Sequence, residues 1–127
     1  MVENPFDSLV FVSDPFLEIK AKCAVHEAIF DQCMYDLRLP GAPRHTFCRK
    51  RTKVIGNVDI SALERHCVGV SPTHQHEFAW GSRPVQGKTV KLVRAAGRYP
   101  RPLAQAFARC MRDGLVRACA AKKESYY

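Results

Sequence analysis

The chain has 127 residues, 46% of them hydrophobic and 25% charged, with 20 Lys and Arg against 12 Asp and Glu for a formal charge of +8. Apolar content at this level supports one core of domain size and excludes a chain disordered throughout. No window approaches the ~20 consecutive apolar residues that a bilayer span needs, and Glu3, Asp7 and Asp14 fall where a secretory leader requires a basic start and an apolar run, so the expected location is intracellular.

Glu3-Asn4-Pro5 opens the chain as a turn cap or as part of a functional edge, and Leu9–Phe11 and Phe16–Ile19 follow as short apolar patches interrupted by Pro15. Cys23–Tyr35 mixes helix-compatible Glu27-Ala28 with strand-compatible Ala24-Val25 and Ile29-Phe30, and predicts a short strand ending near Cys33. Pro40, Gly41 and Pro43 make Leu37–Pro43 a loop, because proline removes a backbone donor and fixes φ. Within Thr46–Val58, the residues Thr52, Val54 and Ile55 predict the best-defined strand, closed by Gly56-Asn57. Asp59 or Ser61 is placed to cap a short helix through Leu63, with Glu64 completing a capping box and the end near Cys67–Gly69. Ser71–Gly87 reads as an ordered loop or short extended pieces, and Lys88–Val93 as another strand. Leu103, Phe107, Cys110, Met111, Leu115 and Ala118 recur at helical spacing and predict a helix from Pro102 to about Ala120, with Gly114 as its weak point. With neither repeat nor linker, residues 1–121 form one unit and residues 122–127 a tail.

Six cysteines and five histidines are compatible with disulfides, reduced thiols or a metal site. The spacing Cys67-x6-His74-x-His76 places three potential ligands within ten residues, and the two histidines share a side if their segment is extended. Zinc wants about four ligands, so Cys48 or Cys33 must supply the fourth. The bland alternative makes these residues core thiols and carbonyl-bonded imidazoles. Glu77 follows the histidines but points away from them in a strand, which disfavours a water-activating metal. No nucleophile motif supports a cysteine protease.

The sequence pI of about 9.4 favours polyanionic partners, DNA or other nucleic acid among them. Arg44, Arg49, Lys50, Arg51 and Lys53 form the densest basic cluster, interleaved with His45 and Phe47, where cations attract phosphates and an exposed aromatic stacks on a base. Lys88, Lys91, Arg94, Arg98 and Arg101 extend the basic face if the fold brings them near. The stripe through Leu103, Phe107, Met111 and Leu115 covers this domain's own sheet, or else marks a missing intrachain partner or a homo-oligomer interface.

The ordered set ENPFDS, FDQCMYD, RKRT followed by GN, Cys67, the histidines 74 and 76, Gly81 and AAGRYPRPL resembles the distal half of a cytosine-specific DNA methyltransferase-like domain of mobile-element or recombinase-associated polyproteins. The resemblance spans Val2 to Leu103. It implies a Rossmann-like α/β domain, here partial, with two to four short strands and a long C-terminal helix. It places Glu3 and Asn4 at the glutamate–asparagine pair that contacts a flipped base in an intact parent enzyme using S-adenosylmethionine. Pro5 departs from the family's usual next residue, the glutamine-led arginine pattern is not reproduced around Arg49–Thr52, and the glycine-rich cofactor loop and proline–cysteine nucleophile are missing. The implied protein is a catalytically incomplete remnant of a DNA-modification or mobile-element protein that contacts nucleic acid, in the nucleus if its target is genomic DNA. The competing expectation is a zinc-stabilised protein or nucleic-acid interaction module.

Overall fold

Thr52, Val54 and Ile55 alternate their faces along an extended run flanked by apolar partners on both sides, and this makes Arg51–Gly56 (β4) the central strand of a three-stranded sheet. A computed structural model describes residues 1–125 of the chain. Val2–Pro5 (β1) and His26–Asp31 (β2) flank β4, both antiparallel to it, with Glu3 opposite Val54 and Ala28 opposite the same residue from the other side. Thr46–Cys48 (β3) pairs in parallel with Gln75–Glu77 (β5), and Ser82–Val85 (β6) forms a hairpin with Lys88–Lys91 (β7). The helices are Asp14–Lys22 (α1), Leu92–Ala95 (α2) and Arg101–Ser125 (α3), with 3-10 turns at Leu9–Val12, Gln32–Tyr35 and Ser61–Leu63.

The main core lies on one face of the sheet. Ala28, Phe30 and Val54 meet Tyr35, Ile60, Leu63 and the buried stripe Leu103, Ala106 and Cys110 of α3. The Tyr35 hydroxyl donates to the Leu63 carbonyl at 2.6 Å, so the core's largest buried side chain carries its polar atom satisfied. On the opposite face Ile55 packs with Phe11 and Phe16. A third cluster of Leu37, Leu39, Cys48, Leu92 and Ala96 fastens β3 and α2 to the loop after β2.

Pro15, read from the sequence as an interruption, instead occupies the first turn of α1, where its fixed φ suits the helix and its missing N–H has no intrahelical role. The segment expected to be a capped helix at Asp59–Gly69 is only the 3-10 turn Ser61–Leu63: Asp59 accepts from the Ser61 N–H at 3.0 Å and hydroxyl at 2.7 Å, and Glu64 lies beyond the turn. Gly114 sits in α3 because a Cβ there would meet Val58 Cγ1 at 2.8 Å, so the glycine permits close approach of helix and loop. The helix runs further than its apolar periodicity suggests. Lys122–Ser125 of the expected tail are helical, and Tyr126 and Tyr127 lie outside the described residues.

The fold is mixed α/β with several short strands and a long C-terminal helix, and it corrects the Rossmann-like expectation. That topology requires parallel strands joined by helical crossovers, whereas the three-stranded sheet is antiparallel throughout and the one parallel pair among the described residues, β3 with β5, is two strands of three residues each. No helix among the described residues is long and apolar enough to cross a membrane.

The stripe of α3 is buried only as far as Cys110, while Leu115 is 66% exposed. Leu103→Ala is expected to cost about 3 kcal/mol and Leu115→Ala under about 0.5 kcal/mol in urea unfolding. Equal losses would mean that the distal helix packs on a core.

Candidate metal centre

β2 ends at Asp31, where the chain turns through Gln32–Tyr35 and is held by three backbone bonds. The Asp31 N–H donates to the Arg65 carbonyl at 2.8 Å, the Gln32 N–H to Lys50 at 3.3 Å and the Cys33 N–H to Arg49 at 3.4 Å. Asp36, in left-handed geometry at φ 65°, closes the turn. Cys33 is thereby buried beside the connection between β3 and β4.

Asp31 is fully buried and positions the second thiol: its Oδ2 accepts the Cys67 N–H at 2.8 Å. Its Oδ1 accepts from Arg49 Nε at 3.3 Å, with Arg51 Nε at 3.9 Å. A carboxylate withdrawn from water needs such partners, and here one side chain joins the sheet, two arginines and the loop that carries Cys67.

The histidines come from β5 and the residue before it. Ser71 and His74 exchange backbone bonds across a tight turn at 2.9 and 3.1 Å, and the Gln75 N–H donates to the His45 carbonyl at 2.7 Å, setting β5 against β3. The period of two sends His74 and His76 to one side, with Gln75 exposed between them. The Phe47 ring stacks on His74 with centroids 4.8 Å apart at 20°.

These elements bring Cys33, Cys67, His74 and His76 together, with one ligand atom from each inside a common span of 4.8 Å. Cys67 Sγ lies 3.5 Å from Nε2 of both His74 and His76, and the two Nε2 atoms are 3.1 Å apart. Around a tetrahedral zinc, bond lengths of about 2.05 Å to nitrogen and about 2.3 Å to sulfur imply nitrogen–nitrogen separations of about 3.3 Å and nitrogen–sulfur separations of about 3.6 Å. The cluster is a candidate zinc-type metal-binding site in which the separations among Cys67, His74 and His76 match that polyhedron.

Burial, then the neighbouring Cys67 thiol, pushes the Cys33 thiol up to about 12. Burial first, then the charges of His74 and Arg49, lowers His76 from its ordinary value, which favours the neutral imidazole that ligates metals. A divalent cation at the centre reverses the preference at the thiols, because a coordinating thiol is deprotonated.

Of the two candidates for fourth ligand, the structure brings Cys33 to the cluster. Cys48 follows Phe47 in β3, so its side chain lies on the other face, packed among Leu37, Leu39, Leu92 and Ala96, where burial raises its thiol. Glu77 is turned to Arg83, whose guanidinium donates to both carboxylate oxygens and to the Pro40 carbonyl at 2.9 Å. The six cysteines are free thiols.

The five-residue basic cluster is divided by the fold. Arg49 and Arg51 face Asp31, Lys50 Nζ donates to the Ala96 carbonyl at 3.2 Å, Lys53 lies 4.0 Å from Glu27 and over the Phe11 ring, and Arg44 is exposed. Glu3 accepts the Tyr99 hydroxyl at 2.6 Å through Oε2, while its Oε1 is buried without a partner; Asn4 pairs with Lys53 across the edge of the sheet. Burial and Glu3 raise the Tyr99 hydroxyl. Asp31 is the functional residue that sequence reasoning missed. Its signal was a charged residue between Phe30 and Cys33, at the end of an apolar strand.

Comparison of the chain with protein-family models, with curated proteins and with solved structures finds no match.

Asp31→Ala leaves the Cys67 N–H unmet and removes the carboxylate between Arg49 and Arg51. In metal-free protein it is expected to lower unfolding free energy by about 3 kcal/mol, and Asp31→Asn, which keeps an acceptor, by about half as much. Indistinguishable urea midpoints for wild type and Asp31→Ala would show that the anchor carries no stability.

Proposed function

We propose that this chain is a zinc-stabilised interaction module in which Cys33, Cys67, His74 and His76 hold one structural ion. The observation that carries the reading is the convergence of two thiols and two Nε2 atoms within 4.8 Å from three separate segments of chain. A mixed set of two sulfurs and two nitrogens in tetrahedral array suits zinc better than the oxygen-seeking cations. Four protein ligands complete that coordination, which is the pattern of a structural site; a catalytic one keeps a position open for water.

The residues around the cluster supply the need for such an ion. No residue between Glu64 and Gly81 is buried, and Val68, Val70, Phe78 and Trp80 are largely exposed. A loop of this length has no apolar core to offset its conformational entropy, and a metal ion gives it one through bonds that form only in the folded state. Cys33 lies outside the loop, so the same ion fastens it to the end of β2. The exposed apolar side chains it holds in place are the material of an interaction surface.

The resemblance to a cytosine methyltransferase-like domain supports a second reading, a non-catalytic relative of a DNA-modification or mobile-element protein. That reading rests on motif order from Glu3-Asn4 to the Tyr99 region. The two readings share the cysteine and histidines of the Cys67–His76 segment.

Protein purified under reducing, chelator-free conditions is expected to carry one zinc per chain by elemental analysis and native mass spectrometry. Replacing Cys33, Cys67, His74 or His76 by Ala should each abolish stoichiometric binding, while Cys48→Ala retains it; a strong chelator should speed amide exchange across 64–81 far more than in α3. Metal-free protein after purification and deliberate zinc addition, or loss of zinc from Cys48→Ala alone, would overturn the assignment.

A further inference from the structure

Five cations outside the metal centre converge on one depression. Lys91, Arg94 and Arg98 line a groove of about 520 Å³, and Arg38, Arg98 and Arg101 line an adjoining one of about 370 Å³; the two share Pro40, Ala95 and Arg98. Asp36 is the one acidic residue on either wall. Among the described residues none of the five cations forms an ion pair, in contrast to Arg49, Arg51, Lys53 and Arg83. Arg38 is additionally held in place, donating to the Pro43 carbonyl at 3.2 Å with its guanidinium 5.5 Å from the Phe47 centroid. Like charges gathered in a concavity repel one another, and their field draws in a multiply charged anion.

The chain that leads to this groove carries exposed aromatic residues. The Leu92 N–H donates to the Gly81 carbonyl at 3.1 Å and Ser82 pairs with Lys91, which places Trp80 beside the turn that begins α2. Trp80 is 81% exposed and Phe78 is 86% exposed, and among the described residues neither ring stacks on another. Cations that follow a backbone beside a bare aromatic face are the two components of single-strand recognition, because a base in a duplex has no free face to offer.

We infer that the groove lined by Arg38, Lys91, Arg94, Arg98 and Arg101, with Trp80 at its rim, binds single-stranded nucleic acid. The phosphates lie on the cations and a base stacks on the indole. This goes beyond the metal centre, since none of its residues is a ligand there. It also differs from the cluster that the sequence made densest: Arg49 and Arg51 face a buried carboxylate, and the groove cations face solvent.

The chain holds a single tryptophan, so its fluorescence reads the rim directly. Zinc-loaded full chain, with metal content measured on the same samples, is titrated at about 50 mM salt with oligothymidylate and oligouridylate of about 12 nucleotides, with a duplex of equal length and with polyglutamate. Both single strands should quench the tryptophan and bind in a salt-dependent manner, their ratio showing whether DNA or RNA is preferred. Using labelled strands and anisotropy, Arg94→Gln with Arg98→Gln should weaken binding at least about tenfold and flatten the log–log salt slope by about 1.4, or about 0.7 per phosphate contact. Arg112→Gln with Arg117→Gln, which removes the same net charge from α3, should change affinity less than about twofold, and Trp80→Ala should cost about tenfold with Trp80→Phe restoring most of it.

Failure of both strands to bind, or equal losses from the groove and α3 pairs, would overturn the site. Duplex or polyglutamate binding as tightly without quenching would assign the groove to duplex or to an acidic protein instead. Strand binding by protein that takes up no zinc even on deliberate addition would leave this inference standing and remove the metal reading, and zinc-loaded protein that binds no strand would do the reverse.

Discussion

Asp31 is the side chain on which the two halves of this molecule are joined. Its backbone belongs to β2 and its N–H is bonded to the Arg65 carbonyl, while its carboxylate takes the Cys67 N–H on one oxygen and Arg49 on the other. A buried carboxylate is costly unless every lone pair has a donor, so the loop from Glu64 onward is fixed by a requirement of the sheet. Remove that requirement and little apolar contact holds Cys67 near Cys33, because residues 64–81 contribute no buried side chain and Ala79 reaches a core cluster only half-buried.

The rest of the fold divides the work between apolar burial and polar fastening. One face of the three-stranded sheet makes a conventional core with α3, where Phe30 meets Tyr35 and Phe107 edge to face. The loop segment instead relies on short-range polar contacts, with Gln75 bonded to His45 and Arg83 bridging Glu77 to Pro40. Where the loop segment lacks a core of its own, four soft or imidazole ligands from separated segments would close it with few residues.

How much of this could be read from the sequence follows from the range of each interaction. The strand around Thr52–Ile55 and the C-terminal helix were legible because their periodicity is local and extends over several residues. The Cys67, His74 and His76 ligands were legible for the same reason, lying within ten residues on a segment whose alternation puts both imidazoles on one side. The choice of Cys33 over Cys48 was not legible, since it depends on Asp31 folding the turn after β2 toward Cys67. The partners of the basic cluster at Arg49–Lys53 were not legible for a related reason: density along the chain says nothing about which cations meet a buried carboxylate. Pro15 was misread because one residue both breaks helices and begins them. The antiparallel order of the sheet depends on pairings between residues some fifty positions apart, Glu3 with Val54 among them, for which short strands leave no local trace.

Charge arithmetic separates the two sites. Zinc brings two positive charges, and each of Cys33 and Cys67 gives up one proton to ligate it, so the sum is zero and the chain keeps its formal +8 whether or not the ion is bound. The long-range field of Lys91, Arg94 and Arg98 is therefore independent of a bound metal to first order. What such an ion would govern is geometry. His76 is followed by Glu77, Phe78 and Trp80 before the chain reaches Gly81, whose carbonyl holds the start of α2. The candidate metal centre and the groove thus share one short stretch of backbone, so an ion held by Cys33, Cys67, His74 and His76 would bear on the groove through that stretch.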